Sequence, residues 1–295
     1  NSNEIKLLNN TKQKTLSKIG GNYLDMRLNA KVKDLGAKKA FHNLRHVTRK
    51  EIYDHFNWDV KKKIIAVYSV SWIDFPHLHG KNLFSDCGEW LRYTLDKIIK
   101  NTKVNWIIKR HPLESYYNSG FIEDFFSQDL PPNVGVYPQN WSGNSLIKNV
   151  DGLVTFMGTA GIEAASLKKI VVTGTKGWYG DSKFVFYPKT KKEYFNFLNS
   201  NWIVNQKILN LHSTRAKQFA CWHFCAPGWQ KNFIMNDDFD NEKNYDLIYK
   251  KLNENKKEIK KEVEMIGDWY FSKFDGYHSY KMYNADNYSL ANAIV

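Results

Sequence analysis

The chain has 295 residues, 42% of them hydrophobic and 15% aromatic, and a formal charge of +13 at pH 7. That apolar content supplies a packed core and excludes a disordered chain, while no apolar run approaches the ~18 residues of a membrane span. The positive excess is dispersed over Arg45, Arg49 and Lys50, the runs 61–63 and 189–192, and the run 256–261. It favours anionic partners without choosing between nucleotide, acidic polysaccharide and the surface of an anionic membrane. No nucleic-acid motif accompanies it, so nucleic acid is not an expected partner.

Cys87, Cys221 and Cys225 are a sparse, odd set, as in a reduced cytoplasmic protein. Cys221-Trp-His223-Phe-Cys225 has the look of a metal cluster, but structural zinc takes four ligands, usually as two separated pairs. With no second pair, an ordinary semi-buried helix is expected there and no metal. The chain opens Asn-Ser-Asn-Glu without methionine or a secretory signal, the look of a trimmed sequence.

Residues 1–60 are polar, basic and helical in pattern, broken at Gly20, Gly21 and Gly36. Arg45, Arg49 and Lys50 read as solvated helix faces, with an anion clamp as the alternative. The apolar run 64–70 predicts a strand covered on both faces. A polar loop, 71–81, follows with Asp74, Pro76, His77 and His79. Cys87, Leu91, Leu95, Ile98 and Ile99 then fall at helical spacing behind Ser85 or Asp86 as cap. A second strand covers 104–108, and Pro112, which has no N–H to donate, makes His111 its terminus. Helices are predicted at 117–126, 142–148 and 162–167, with strands at 134–137, 153–156 and 170–172. Alternation to about residue 210 is the pattern of a doubly wound parallel sheet. From Leu211 the chain reads as helical, with a charged surface helix at 253–263. The aromatic tail Trp269, Tyr270, Phe271, Tyr277 and Tyr280 is expected to pack back onto the protein or a partner.

Two strand ends carry the chemistry. Asn105-Trp106-Ile107-Ile108-Lys109-Arg110-His111-Pro112 ends on an imidazole and two cations, of which alternation aims one at the crevice. Gly158-Thr159-Ala160-Gly161-Ile162-Glu163 turns from a strand into a helix. Its glycines permit positive φ and close approach of a ligand, Thr159 can cap the helix, and free amides there attract phosphate. Glu163 either matches the helix dipole or accepts from ribose hydroxyls. His111 can donate to phosphate, more strongly if protonated near neutrality. Ser69 and Ser71 lie at the first strand's end, while Asp74 and His77 are the acid–base candidates; a loop-stabilising Asp–His hydrogen bond is the plainer alternative.

Asp74-Phe75-Pro76-His77, Phe84 with Asp86 and Glu89-Trp90, the Lys109-Arg110-His111-Pro112 strand end and Gly158-Thr159-Ala160-Gly161-Ile162-Glu163-Ala164 occur in an order that resembles bacterial capsule-polysaccharide glycosyltransferases, including their Kdo-transferring relatives. The resemblance covers about residues 60–210. It implies a GT-B architecture with a nucleotide-sugar donor, CMP-linked by preference and CDP- or UDP-linked as alternatives, and no tightly bound cofactor. It also implies donor-phosphate contacts from His111 and from Gly158, Thr159, Ala160 and Gly161, with Glu163 binding the ribose or orienting that region; beside these, Lys109 is the cation expected at the donor and Ser71 is expected to help hold it. Arg110 stands where the family commonly has proline.

The expected organisation is a helical lead-in, 1–60, a Rossmann-like donor-binding domain, 61–210, and a helical extension, 211–295. About 60 residues before the first strand are too few for the family's N-terminal Rossmann half, so a donor-binding half is expected. The function expected is sugar transfer to a glycan or glycolipid acceptor in capsule or surface-polysaccharide assembly. The alternatives are phosphoglycerol-type transfer from a CDP donor, or a non-catalytic assembly module. Membrane-associated capsule-assembly proteins are the expected protein partners, and the expected location is the cytoplasm, extending to the inner face of the membrane.

Overall fold

The computed structural model describes residues 5–32, 44–70, 82–112, 114, 130–225 and 245–286. Five parallel strands form one sheet: β1 (Ile64–Tyr68), β2 (Asn105–Lys109), β3 (Val134–Val136), β4 (Gly152–Thr155) and β5 (Ile170–Thr173), in the spatial order β3-β2-β1-β4-β5. Helices cover both faces, giving the Rossmann-like α/β architecture expected. The expected helix at 117–126 lies outside the described residues.

Strand boundaries shift by one or two residues from the sequence reading. β1 stops at Tyr68, although the Ser69 amide still donates to the Lys109 carbonyl. β2 runs to Lys109, so His111 stands two residues past the strand rather than ending it. In β2 the pairing extends one residue past the apolar run, to Lys109 opposite Tyr68, so pairing with β1 decides where the strand ends.

On one face lie α1 (Asn10–Leu28), α2 (Arg49–Phe56), α4 (Gly143–Asn149), α5 (Ala160–Ser166) and α7 (Gln206–Phe224). On the other lie α3 (Cys87–Ile98) and α6 (Lys191–Leu198). Helix α3 starts where the extended Asp86 accepts from the Glu89 amide at 2.7 Å, and it buries Cys87, Trp90, Leu91, Leu95 and Ile98. Trp90 reaches under β5, where its indole N–H donates to the Tyr194 hydroxyl at 2.8 Å and a Cβ on Gly174 would meet its ring at 2.2 Å. The resemblance motif residues Phe84, Asp86, Glu89 and Trp90 thus build the core and a cap. Helix α6 had a legible signal that hydrophobic periodicity misses: Thr190 accepts from the Glu193 amide at 3.1 Å while Glu193 accepts from the Lys189 amide at 2.7 Å.

The lead-in cations are structural. Arg49 pairs with Asp151 at 2.6 Å, Arg45 with Glu51 at 2.6 Å and Lys50 with Asp54 at 2.8 Å. Beyond residue 244 the single helix read at 253–263 is divided at Asn255 into α8 (Tyr245–Glu254) and α9 (Lys256–Tyr270), followed by α10 (Tyr277–Asn284). Phe274 is buried, Tyr277 donates to Glu262 at 2.7 Å, and Met282 joins Ile5, Leu8 and Leu16 in a cluster against α7. Tyr270 and Phe271 stay exposed, at 76% and 88%.

Helices α1 and α7 cross in close contact at Gly20, where an added Cβ would lie 1.8 Å from the Lys217 carbonyl oxygen. Gly20→Ala is expected to cost about 1–3 kcal/mol in urea unfolding, as overpacking does. Gly21→Ala, whose Cβ would meet nothing nearer than the Lys217 side chain at 3.5 Å, serves as the control. It should be neutral or stabilise by up to about 1 kcal/mol through helix propensity.

Candidate functional site

The chain leaves β1 toward β2 and β3 on one side and returns to β4 and β5 on the other, so strand order reverses between β1 and β4. Beyond the carboxyl ends of those two strands the flanking connections part, and ligands bind in the crevice so formed. At its floor is Ser69, buried, with a hydroxyl that has no hydrogen-bond partner among the described residues.

Next to it, β2 ends on Lys109, whose side chain is buried and turns over the Tyr137 ring at 5.9 Å. Its Nζ donates to the Arg110 carbonyl at 3.2 Å. Burial lowers the Lys109 pKa to about 8, with Glu114 acting in the opposite sense, so the ammonium is mostly charged at neutral pH. His111 is half-buried; burial first, then Lys109, lowers its pKa to about 4. Desolvation and a neighbouring cation both oppose the charged ring, so the protonated form that would strengthen a phosphate contact is disfavoured near neutrality. At neutral pH His111 is therefore a neutral imidazole, with one ring nitrogen as donor.

The turn after β4 departs from expectation in two respects. Neither Gly158 nor Gly161 has positive φ. Gly161 is required by close packing, since a Cβ there would lie 2.6 Å from the Tyr179 hydroxyl. Thr159 occupies the N-cap position with helical backbone, φ −55° and ψ −28°, and its side chain makes no cap bond. A capping side chain needs an extended N-cap residue, so the expected Thr159 cap is absent. Instead two aromatics hold the turn: Trp178 donates to the Met157 carbonyl at 3.0 Å and Tyr179 to the Gly158 carbonyl at 2.9 Å. With its carbonyls drawn to one side, the turn leaves the amides of Thr159 and Ala160 without an acceptor among the described residues.

Glu163 is not at the surface of the crevice. Its carboxylate accepts from Arg27 Nε at 2.6 Å, and both side chains are almost wholly buried. The lead-in helix α1 thus supplies a cation to the first turn of α5. Sequence reasoning missed Arg27, one of many cations in a basic segment, with nothing in its spacing to single it out.

Ser71, Asp74, His77 and His79 lie outside the described residues. Their flanks are placed: Val70 leaves β1, and Asn82 accepts from the Thr175 hydroxyl just past β5. Among the described residues no group of three His, Cys, Asp or Glu side chains is disposed to hold a metal ion. Cys221 and Cys225 face an apolar cluster with Ile5 and Leu8, and burial pushes the Cys221 thiol pKa up.

Residues 79–182 match a family model described as capsule polysaccharide biosynthesis protein. No match was found among curated proteins. Among solved structures, the chain is similar to the beta Kdo 2,4 transferase KpsC of Thermosulfurimonas dismutans, at 14% identity and a TM-score of 0.44, covering 68% of this chain and 55% of that one. It is also similar to the wall teichoic acid polymerase TagF, at 17% identity and 0.38, covering 70% and 47%. A third is Anabaena Alr3699/HepE in complex with UDP and glucose, at 14% and 0.38, covering 60% and 48%. The chain spans about half the length of these structures.

Breaking the Arg27–Glu163 pair from one side should be severe. Arg27→Ala is expected to cost about 3–5 kcal/mol in denaturant unfolding, because a buried carboxylate is left without its cation. Replacing both, Arg27→Met with Glu163→Leu, should recover most of that loss. Thr159→Val should shift stability by no more than about 0.5 kcal/mol, since no cap bond is lost.

Proposed function

We propose that the chain is the donor-binding part of a GT-B glycosyltransferase acting in capsule or surface-polysaccharide assembly. The observation that carries this reading is the crevice at the strand-order reversal, which the strand ends at Ser69, at Lys109 and His111 and at the 158–161 turn border, all but Ser69 within the stretch that matches the capsule family model. A buried ammonium, a neutral imidazole donor and the unbonded amides of Thr159 and Ala160 together suit a phosphate whose charge grows as it leaves.

In the proposed reaction an acceptor hydroxyl attacks the anomeric carbon of a nucleotide-activated sugar. A glycosidic C–O bond forms, the bond from the anomeric carbon to the phosphate oxygen breaks, and the nucleotide departs with the electron pair. Lys109 and His111 stabilise the departing phosphate. Asp74 or His77 takes the acceptor proton; both belong to the segment whose flanks leave β1 and rejoin beside β5, on either side of the turn after β4. Glu163 fixes the first turn of α5 through Arg27 and orients that region rather than reaching the ribose itself. The donor is CMP-linked in this reading, with CDP- and UDP-linked sugars as alternatives, and the acceptor is a glycan or glycolipid.

Calorimetry with CMP, CDP, UDP and GDP tests the reading. One of them should bind the folded protein, and if none does the proposal fails. His111→Ala should weaken that binding by about 1.5–3 kcal/mol, the worth of a hydrogen bond to a charged group, with unfolding unchanged. In NMR titration the His111 ring should titrate near pH 4 without ligand. With nucleotide bound its pKa should move upward, because an adjacent phosphate favours the protonated ring.

A further inference from the structure

The opposite pole of the sheet has a different chemistry, and we infer that it is a docking face for an anionic membrane surface. This inference does not rest on the transferase reading. In an all-parallel sheet every segment that enters a strand lies at one end. Here 59–63, 99–104, 148–151 and 167–169 enter β1, β2, β4 and β5. They carry Lys61, Lys62, Lys63, Lys100, Lys103, Lys148, Lys168 and Lys169 against Asp59 and Asp151. Arg49 neutralises Asp151, while Asp96 of α3 offsets Lys100 at 2.9 Å.

Several of these ammonium groups fasten one loop to the next. Lys62 donates to the Thr102 carbonyl at 2.8 Å, Lys169 to the Lys148 carbonyl at 2.8 Å and Lys103 to the Asn199 carbonyl at 2.9 Å. Lys63 donates to the Trp202 carbonyl. The charges are therefore held on a rigid base. Lys61, Lys148 and Lys168 are exposed and have no carboxylate partner among the described residues.

Aliphatic side chains stand exposed beside these lysines. Val60 is 66% exposed and Ile203 72%. Ile203 follows Trp202, a non-glycine residue at φ +54° whose ring is buried against Gly152 and Trp106. That left-handed turn sends the indole inward and leaves the next residue in solvent. A cavity of about 490 Å³ opens beside Ile203, with Phe186, Pro188, Phe197 and Val204 on its apolar side and Glu193 and Asn196 on its polar side. Aliphatics that enter the acyl boundary, ringed by ammonium groups that meet lipid phosphates, are the chemistry of an interfacial contact. Nucleic acid is less well served, because the entering segments present no aromatic ring for stacking and no arginine. The strand-end crevice would then open away from the bilayer, at least a strand length of ~17 Å above it.

Flotation of the full chain with lipid vesicles tests this. Vesicles of phosphatidylcholine with about one-third phosphatidylglycerol should carry the protein at low salt, and pure phosphatidylcholine should not. Lys61→Gln, Lys148→Gln and Lys168→Gln together should weaken partition on the order of 100-fold, about fivefold per charge. Val60→Ser with Ile203→Ser should weaken it roughly tenfold. Both variants should keep the parent's urea unfolding. Absence of the folded parent from anionic vesicles would overturn the inference, as would partition that neither variant alters. It is likewise overturned if a DNA duplex binds and only the lysine variant weakens it, or if the face pairs two copies in a dimer that the serine variant splits.

Discussion

Strand β1 is the constraint on which the remaining elements depend. It is paired along both edges, to β2 and to β4, and Ile64, Ile65, Ala66 and Val67 are inaccessible to solvent. A strand buried on both faces must be covered by helices on both sides, and parallel neighbours must be reached by crossovers. The chain therefore winds outward through β2 to β3 and returns for β4 and β5. The gap beyond β1 and β4 follows from that winding, before any side chain in it is considered.

What fills the gap is set by contacts distant in sequence. The turn after β4 owes its shape to Trp178 and Tyr179, two consecutive aromatics from the connection after β5, which draw on two consecutive carbonyls. The first turn of α5 owes its electrostatics to Arg27, 136 residues earlier. A buried ion pair is a costly way to join a helix to a sheet layer, and its merit is specificity of placement rather than net stability. The N-terminal helix is consequently part of the architecture around the site, packed along α7 and tied to α5.

The two poles of one sheet carry opposite solutions to the placement of charge. At the crevice, Lys109 and His111 are desolvated, which lowers both pKa values and makes each responsive to an incoming anion. At the base, Lys62, Lys63, Lys103 and Lys169 spend their donors on the carbonyls of neighbouring loops, while Lys61, Lys148 and Lys168 remain exposed and display their charge. The same residue type serves as an internal partner at one end and an external field at the other, and burial makes the difference.

By itself the sequence determined the alternation of strands and helices, both strand ends of the crevice, and the likeness to capsule transferases, because continuous apolar runs, Gly/Thr turns and ordered short motifs are local signals. It also placed α3, whose Asp86 cap and apolar spacing are contiguous. Tertiary structure decided the rest. Thr159 does not cap, because the turn it sits in is held in helical geometry from outside. Gly161 is glycine for the sake of the Tyr179 ring, a neighbour no local pattern announces. Glu163 faces Arg27, and His111 is neutral because of what surrounds it, since a pKa depends on solvent and charges brought close only by folding. Strand order, and with it the meeting of β1 and β4 ends in one crevice, is a property of non-local pairing that the order of elements along the chain leaves open.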